Sequence, residues 1–547
     1  MAITFTRRGV LGAGVAASAF AVMPAFAETL SKSTIPVAPF VEVETVTGKV
    51  RGGTARGALS FKGIPYGGSL SGANRFKAPT PVVPWTGVFD ATHLGAPSQQ
   101  TPGSVYGEQE PAYSEDCLVL NVWTPAADGK KRPVMLYLHG GGFSTGSGGS
   151  TSQDGGRLAA VYDVVVVACN HRLGLLGYLW LGEGYAANAG MLDIVQSLQW
   201  VRDNIAAFGG DPGNVTVFGE SGGGAKVATL LAMPQGVGLY HKAGIESGAW
   251  LKRMPADRAQ ETARRVIKAL GVSDAGALAN VPVQTLLQLQ WQAERGEGPL
   301  VDAVPPEVKA RMMYAGYDGE QIGHFAPVVD GSVLPRHPFD PDAPEIAAHV
   351  PLLIGNNREE AAFGMMGQPE LFSLSEDALK ARLATQFGEQ ADPLLKAYRL
   401  DRPGATPSEL YIAIATARQF GNDTVTLAGR KAAQPAPVWR YRWDYRSNRP
   451  IKGSTATLGA GHATDIGPTF DNWDAQGLHG DGPGVEAASR NLSALWTSFA
   501  RHGVPAAKGV PAWPHYDGKT RPVMLVDVEC RVVHDPDPHA RKVWGAA

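Results

Sequence analysis

Cysteine is scarce in this chain, which contains only Cys117, Cys169 and Cys530. Because three is an odd number, at least one thiol must stay unpaired, and the sequence leaves open whether any two form a disulfide. Their wide spacing excludes the close CxxC pairs that are typical of zinc sites. We therefore expect no metal site built from cysteine, and we interpret the three residues as small buried hydrophobic side chains.

The sequence also lacks an excess of charge of either sign. It has 49 lysines and arginines against 51 aspartates and glutamates, for a formal net charge of −2. Proteins that bind nucleic acid usually need a basic surface that neutralises phosphates. We therefore expect no nucleic-acid partner, and instead a small neutral or acidic substrate, or a protein.

Internal repeats and low-complexity segments are absent as well. The 67 glycines and 40 prolines are spread along the chain, which is typical of many loops that join short elements. With 44% hydrophobic residues in a length of 547, the chain is long enough to bury a large core.

No segment has the roughly 20 apolar residues that a secure transmembrane helix needs. The first residues instead resemble an export signal, because Arg7 and Arg8 precede a short run of Gly, Ala and Val that ends in AFA. We predict a twin-arginine-type signal peptide over residues 1–27, cleaved after Ala27, and a linker over residues 28–40. An ordinary secretory signal is the alternative. Either signal implies a periplasmic or secreted bacterial protein without a stable membrane anchor after cleavage.

Alternating strand and helix patterns predict an α/β fold. Residues 41–66 alternate apolar and polar side chains between glycines, which is typical of antiparallel hairpins. Three mostly apolar runs, PVMLYL, VVVVAC and NVTVF, predict buried strands. Between the last two, apolar residues at helical spacing predict a helix from Leu192 to Ile205. This order favours a central, mainly parallel twisted sheet flanked by helices.

Two segments rich in Ala, Leu, Gln and Glu show helical spacing, around residues 254–325 and 369–435. We interpret them as helices inserted over the carboxyl edge of the sheet, where they would form the walls of a pocket. Apolar side chains at such spacing can equally belong to an ordinary core. The candidate pocket-lining residues are Met312, Met313, Tyr314 and Tyr317.

The stretch FGESGGGA places Ser221 among four glycines directly after the predicted strand NVTVF. The motif GxSxG between a strand and a helix is the nucleophile elbow, a strained turn that lifts the serine above the sheet edge. Glycine at 219 and 223 removes β-carbons that would collide with the neighbouring strand and helix. A motif of five residues often occurs by chance, but the predicted strand before it and the predicted helix after it make this match specific. Ser221 is therefore the predicted nucleophile.

A nucleophilic serine needs a base and a group of donors for the developing oxyanion. The segment LHGGGF, residues 138–143, ends an apolar strand in three glycines, and such a loop can turn consecutive N–H groups toward a carbonyl oxygen. We predict an oxyanion hole made by the N–H groups of Gly141, Gly142 and Gly222. A tight turn without a catalytic role is the alternative.

Four stretches resemble the type-B carboxylesterases, the cholinesterase-like branch of the α/β-hydrolases: SEDCLVLNVWTP, YLHGGGFSTGS, NAGMLDIVQSLQWVRDNIAAFGGDPGNVTVFGESGG and LIGNNREEAAF. The resemblance extends from about residue 41 to about residue 517. It implies an α/β-hydrolase fold in a single domain over residues 41–547. It also implies a triad of serine, glutamate and histidine in that chain order, which acts on small to medium carboxylic esters without metal or organic cofactor.

The resemblance selects the other two members of the triad. The family pattern of a glycine, four residues and an acid selects Glu360 in GNNREEA, with Glu359 as the alternative. The loop GAGHATDIG resembles the histidine loop of the family and selects His462 among thirteen histidines. We interpret His139, beside the oxyanion glycines, as structural. Residues matched to supporting positions of the family are Glu220, Ser247 and Asp465.

The chain departs from the family pattern at three positions. Gly222 stands where the family usually has alanine, so the N–H is kept but the helix start is more flexible. Ser98 stands where the family has a cysteine, so Cys117 lacks its usual disulfide partner, and we expect a looser loop over residues 98–114. His171 stands where tyrosine is common. None of these departures removes a triad residue.

The predicted function is a serine carboxylic-ester hydrolase that forms an acyl-enzyme intermediate. The sequence does not specify the natural ester or the oligomeric state. One alternative keeps the serine chemistry but acts on amides, lactones or thioesters. The other is a catalytically silent, adhesion-type member of the same fold, although such members typically lose the nucleophile that is present here.

Overall fold

The computed structural model describes residues 40–100, 111–302 and 325–546. The predicted signal peptide, nearly all of the predicted linker and part of the loop over residues 98–114 lie outside the described residues. The four candidate pocket residues Met312, Met313, Tyr314 and Tyr317 also lie outside them.

The strands are short and alternate with helices along most of the chain. The strands are β1 (Val41–Thr45), β2 (Gly48–Ala55), β3 (Ala58–Pro65), β4 (Val88–Asp90), β5 (Val119–Thr124), β6 (Arg132–Leu138), β7 (Val165–Cys169), β8 (Gly210–Glu220), β9 (Lys242–Glu246), β10 (Met254–Pro255), β11 (Val328–Val329), β12 (Leu352–Asn357), β13 (Val438–Trp443), β14 (Ser447–Pro450), β15 (Thr457–Gly459), β16 (Pro522–Val526) and β17 (Arg531–His534).

The α-helices of the described residues range from single turns to an 18-residue helix near the C-terminus. They are α1 (Gly156–Tyr162), α2 (Gly174–Tyr178), α3 (Ala189–Asn204), α4 (Gly222–Leu230), α5 (Ala256–Leu270), α6 (Val283–Glu294), α7 (Ala361–Met365), α8 (Glu376–Phe387), α9 (Ala391–Asp401), α10 (Pro407–Thr416), α11 (Asn422–Ala432), α12 (Ile466–Thr469), α13 (Val485–His502) and α14 (Pro538–Trp544).

One large sheet organises the described part of the chain, and its strand order is β1-β2-β3-β5-β7-β6-β8-β9-β12-β13-β16-β17, with β4 beside β2. The first three strands pair antiparallel, so the expected hairpins over residues 41–66 are confirmed. The strands from β7 through β16 in this order all pair parallel. The expected mainly parallel sheet is therefore confirmed.

Both faces of the sheet are covered, which explains why its central strands are apolar without interruption. Along β6, Leu136 and Leu138 belong to the core beneath α3 and α4, whereas Met135 and Tyr137 belong to the core beneath α13. On the α13 face, the ring of Trp496 lies 5.5 Å from the ring of Phe218 on β8. Side chains of one strand thus alternate between two hydrophobic layers.

The predicted helix before the serine is α3, and it begins three residues earlier than its apolar spacing predicted. A 3₁₀ turn over Ile205–Phe208 continues it, and Gly209 ends that turn in the left-handed conformation with φ of 79°. Glycine adopts this conformation without the steric penalty of a β-carbon. Of the two predicted helical segments, the first contains α5 and α6 and the second contains α8 to α11.

The three cysteines are free thiols in the structure. Cys117 and Cys169 are fully buried in the core, as expected, and burial raises the pKa of the Cys117 thiol to about 12. Cys530 is only partly buried, so for this residue the interpretation as a buried side chain is wrong. It lies in the turn between β16 and β17, and β17 is the terminal strand of the sheet.

No helix among the described residues combines the length and the apolar character that crossing a lipid bilayer requires.

A buried ion pair joins the loop after β7 to α3. Nη2 of Arg172 lies 2.6 Å from Oδ1 of Asp193, and Nε of Arg172 donates to Oδ2 at 2.8 Å. Their side chains are 2% and 0% exposed. The backbone N–H of Arg172 also donates to the same carboxylate at 3.0 Å. Removal of one partner of such a pair strongly lowers the stability of the fold, because the remaining charge stays buried without compensation.

We expect Arg172→Met to lower the free energy of unfolding by about 3–5 kcal/mol, because it leaves the Asp193 carboxylate buried alone. Urea denaturation followed by circular dichroism measures the change. The matched control is Arg202→Met, whose partner Asp203 forms an ion pair with side chains 54% and 43% exposed; this variant should change stability by less than about 0.5 kcal/mol. Equal effects of the two substitutions would contradict the prediction.

Candidate active site

The serine predicted as nucleophile occupies a strained turn between β8 and α4. Ser221 has φ of 56° and ψ of −123°, a region that residues with a β-carbon rarely adopt. Its N–H donates to the carbonyl of Glu246 at 2.8 Å, and its carbonyl accepts from the N–H of Ala225 at 3.0 Å. The end of β9 and the first turn of α4 thus hold the turn from both sides, as a nucleophile elbow requires.

The two motif glycines are required by close backbone contacts. A β-carbon at Gly219 would lie 2.5 Å from the carbonyl oxygen of Leu138 and 2.7 Å from the backbone of Gly223. A β-carbon at Gly223 would overlap the same oxygen of Leu138. The steric reason for the motif, inferred from the sequence, is therefore confirmed, and the neighbouring element is the end of β6.

The structure brings Ser221, His462 and Glu360 together. Nε2 of His462 lies 2.8 Å from Oγ of Ser221, and Nδ1 lies 2.7 Å from Oε2 of Glu360. The three residues follow different strands: Ser221 follows β8, Glu360 follows β12, and His462 lies in the loop after β15. The carboxyl ends of β8 and β12 meet at one edge of the parallel sheet, and the loop after β15, a strand of the separate two-stranded sheet, brings His462 to Ser221 across 241 residues of sequence separation.

The carboxylate of Glu360 is fixed by donors on its other oxygen. Oε1 accepts hydrogen bonds from the hydroxyl of Ser247 and from the N–H of Asn357, both at 2.6 Å. The neighbouring Glu359 has different partners, since its carboxylate accepts from the N–H of Ala460 at 2.8 Å and pairs with Arg446 at 3.0 Å. The structure thus brings Glu360, and not Glu359, to the imidazole.

Further buried carboxyl groups surround the same imidazole. Oε1 of Glu220 lies 3.4 Å from Nε2 of His462. Oδ1 of Asp465 accepts a hydrogen bond from the side-chain amide of Asn357 at 3.0 Å, and the backbone N–H of Asn357 donates to Glu360 at 2.6 Å. Burial, followed by the charge of Glu360, raises the pKa of Asp465 to about 7.

Sequence reasoning missed a fourth carboxyl group, Glu246 at the end of β9. It is fully buried and accepts a hydrogen bond from the hydroxyl of Thr469 at 2.8 Å. Burial and the neighbouring Asp465 raise its pKa well above the usual range. The signal in the sequence is an acidic residue at the end of a buried strand, one residue before Ser247.

The carboxylates decide the protonation of the histidine. Burial alone would lower the pKa of His462, but the charges of Glu220 and Glu360 outweigh it, and the net effect raises the pKa above its usual value. An imidazolium is therefore stabilised in this position. Such stabilisation is what a general base needs at the moment it accepts a proton.

The glycine loop after β6 lies against the serine turn. Gly141 and Gly142 both adopt left-handed backbone conformations, with φ of 81° and 61°. A β-carbon at Gly222 would overlap the carbonyl oxygen of Gly142. No hydrogen bond within the described ranges uses the N–H groups of Gly141, Gly142 or Gly222. The loop and the helix start thus approach each other with N–H groups available for a ligand oxygen.

A buried lysine on α4, which sequence reasoning also missed, forms hydrogen bonds with the glycine loop. Nζ of Lys226 donates to the carbonyls of His139 and Gly142, each at 2.9 Å. Its side chain is fully buried, and burial lowers its pKa to about 7. The imidazole of His139 stacks on that of His171 with ring centroids 4.7 Å apart. A charged residue in the otherwise apolar helix GGGAKVATLLAM was the available signal.

An aromatic side chain covers the histidine from the second helical segment. Between α10 and α11, residues Ala417–Gly421 form one π-helical turn, a local widening that is frequent at functional sites. Phe420 in this turn stacks on the ring of His462 with centroids 4.7 Å apart. A helical segment thus reaches the site, as its placement over the carboxyl edge of the sheet predicted.

Among the residues that the structure describes, no group of three or more His, Cys, Asp or Glu side chains has the arrangement of a metal site.

Comparison with known proteins identifies the family. The model of the carboxylesterase family matches residues 38–544. The para-nitrobenzyl esterase of Bacillus subtilis (strain 168) is 35% identical over 512 residues, which cover 91% of this chain and 97% of that protein. The phenmedipham hydrolase of Pseudarthrobacter oxydans is 32% identical and covers 89% and 94%. The liver carboxylesterase of Sus scrofa is 33% identical and covers 91% of each.

Comparison with solved structures identifies the fold. A structure of a PNB esterase, 34% identical, superposes with a TM-score of 0.75 over 92% of this chain and 99% of that chain. The carboxylesterase of Geobacillus stearothermophilus, 35% identical, gives a TM-score of 0.76 with the same coverage. The chain therefore belongs to the carboxylesterase family, has the α/β-hydrolase fold and is a carboxylic ester hydrolase.

Proposed function

We propose that this hydrolase cleaves small to medium carboxylic esters with Ser221 as nucleophile, His462 as general base and Glu360 as the carboxylate that orients the imidazole. The observation that carries the proposal is the continuous line of two hydrogen bonds, 2.8 Å from Ser221 to His462 and 2.7 Å from His462 to Glu360. This is the geometry of nucleophile, base and orienting acid that activates a serine hydroxyl.

The reaction begins when Oγ of Ser221 attacks the ester carbonyl and its proton passes to Nε2 of His462. The tetrahedral intermediate collapses, His462 returns the proton to the leaving alcohol, and an acyl-enzyme remains. Water, deprotonated by the same Nε2, then attacks the acyl carbonyl. The carboxylic acid leaves, and the proton returns to Oγ of the serine.

The N–H groups of Gly141, Gly142 and Gly222 are the proposed donors to the negative oxygen of both tetrahedral intermediates. Their free hydrogens and the close approach of Gly142 to Gly222 support this role. Donors fixed before the reaction stabilise charge as it develops without having to reorganise. Lys226 supports them indirectly, because it donates to the carbonyls of His139 and Gly142 and so holds the peptides on both sides of the two loop donors.

Three further residues act through the triad. Ser247 holds the Glu360 carboxylate directly, and Asp465 fixes the Asn357 side chain beside it. Glu220 stabilises the imidazolium through its charge at 3.4 Å. The names of the bacterial relatives support aromatic esters such as para-nitrobenzyl esters as a starting set of substrates.

We expect Ser221→Ala to lower turnover of p-nitrophenyl butyrate on the order of 10⁶-fold, because the nucleophile is lost. An organophosphonate probe should modify the wild-type chain once, and peptide mass spectrometry should find the adduct on Ser221. The anilide of the same acid should react far more slowly than the ester. Adduct on another residue, or turnover that survives in the folded variant, would overturn the proposed nucleophile.

We expect Glu220→Gln to move the acid limb of the pH profile of kcat/KM toward lower pH, by about one unit or more. The carboxylate raises the pKa of His462, so its removal lowers that pKa, and the free base then persists to lower pH. Glu44→Gln, in the exposed part of β1, is the control and should leave the limb in place. A limb that stays fixed or moves to higher pH in Glu220→Gln would contradict the assigned role.

We expect Gly222→Ala to lower kcat on the order of 10²-fold, because its β-carbon would displace the Gly142 peptide and with it the oxyanion donors. Alanine is common here in the family, so the effect depends on how close the glycine loop lies in this chain. The control is Gly53→Ala on β2, where a β-carbon meets no atom within 4 Å. Wild-type kcat in Gly222→Ala would show that the loop position is not required.

A further inference from the structure

A second candidate site lies between β13 and the C-terminal helix α14, where residues of both elements line a half-open cavity of about 70 Å³. A space of this size holds about two waters or one small oxyanion. The cavity shares Arg402, Arg442 and the turn over residues 535–537 with a larger and more open surface cleft of about 630 Å³. Solvent and small solutes therefore have a short route to it.

One wall of the cavity is a buried arginine without an acceptor. Arg440 on β13 is 7% exposed, and its Nε is buried without a hydrogen-bond partner. Within the described ranges, no carboxylate forms an ion pair with its guanidinium. Arginine keeps its charge in proteins, so it cannot avoid the cost of burial by releasing a proton. An unpaired buried cation of this kind is energetically unfavourable, and a bound anion would compensate its charge.

The surrounding carboxylates form ion pairs with other arginines, and Asp535 and Asp537 act on the charge of Arg440 only through space. These pairs are Arg402 with Asp537 at 3.2 Å, Arg442 with Asp444 at 2.5 Å, and Arg541 with Asp535 at 2.9 Å. Each of these three arginines has a carboxylate within hydrogen-bond distance. A fifth arginine of the wall, Arg358, lies 3.8 Å from Asp444, so among the described wall residues Arg440 is the arginine without an ion pair.

Two neutral side chains of the cavity wall complement a proton-bearing oxyanion. The hydroxyl of Tyr398 accepts a hydrogen bond from the indole of Trp544 at 3.2 Å, so its own proton is free to be donated. Oδ1 of Asn356 is buried without a donor. A ligand that carries both negative oxygens and one O–H would satisfy Arg440, Tyr398 and Asn356 together.

We propose that this cavity binds one small tetrahedral oxyanion that keeps a proton, of which hydrogen phosphate is the simplest example. Arg440 is the charged ligand, and Tyr398 and Asn356 are the neutral ones. Sulfate matches the charge and shape but has no proton to donate to Asn356 at neutral pH. A small carboxylate such as acetate lacks the tetrahedral shape. The proposal is independent of the catalytic assignments, since none of these residues belongs to the triad.

Calorimetric titration of the full chain, dialysed free of phosphate and sulfate, tests the site. We expect one phosphate per chain for the wild type and for Ser221→Ala, weaker binding of sulfate, and no binding for Arg440→Met. Phosphate should also raise the Tm of the wild type by a few degrees at saturation, because a ligand that binds only the native state stabilises it.

The stability of Arg440→Met provides a second test. In anion-free buffer, Arg440→Met should be at least as stable as the wild type, because it removes an unpaired buried charge, and phosphate should no longer raise its Tm. Arg440→Lys, which keeps one charge but not the guanidinium, should bind phosphate more weakly. Arg264→Met, on the exposed face of α5, is the control and should bind as the wild type does.

Three results would overturn the proposal. The first is no phosphate binding to the wild type. The second is binding that is unchanged in Arg440→Met, which would mean an adventitious ion only. The third is sulfate binding as tight as that of phosphate, which would remove the role assigned to Asn356.

Discussion

Close backbone packing between the end of β6 and the serine turn is the constraint on which the rest of the site depends. Strands β6 and β8 pair in register at Leu138 and Gly219, so the glycine loop that continues β6 and the elbow that continues β8 emerge side by side. Only glycine fits at 219, 222 and 223, where the backbones nearly touch. A strained serine can therefore be held without any contribution from its own side chain, which remains free to react.

The second organising feature is the charge buried around one imidazole. Glu220, Glu246, Glu360 and Asp465 are all buried within one region, although carboxylates so close together repel one another. Burial raises the pKa of Glu220, Glu246 and Asp465, which limits the number of negative charges present at once. At Glu220 the neighbouring His462 opposes this effect and lowers the pKa, so a charged imidazole favours the carboxylate form beside it. Lys226, which donates to the carbonyls of His139 and Gly142 in the glycine loop, interacts electrostatically with Glu220.

The departures from the family pattern have different structural consequences. Gly222 allows the glycine loop to approach the helix start more closely than a β-carbon would permit. His171 stacks on His139, and burial lowers the pKa of both, so two neutral rings support the loop from below. Cys117 remains a free thiol, which agrees with the serine at position 98, where the resemblance to the family implies a cysteine. The first two changes act on the oxyanion loop and the third acts on its surroundings.

The sequence by itself determined the parallel sheet and the elbow, because strand runs, helix spacing and GxSxG depend on local chemistry and on short-range sterics, whereas the order of the proposed triad came from the resemblance to the family. Selecting Glu360 over Glu359 already required the family pattern. Only the tertiary structure decided that Glu246 and Lys226 lie at the site and that Phe420 covers His462. It also decided that Arg440 is buried with no carboxylate ion pair among the residues that the structure describes. These facts depend on which residues from distant segments meet, and pairing across the sheet is set by the packing of the whole domain, which no local pattern encodes.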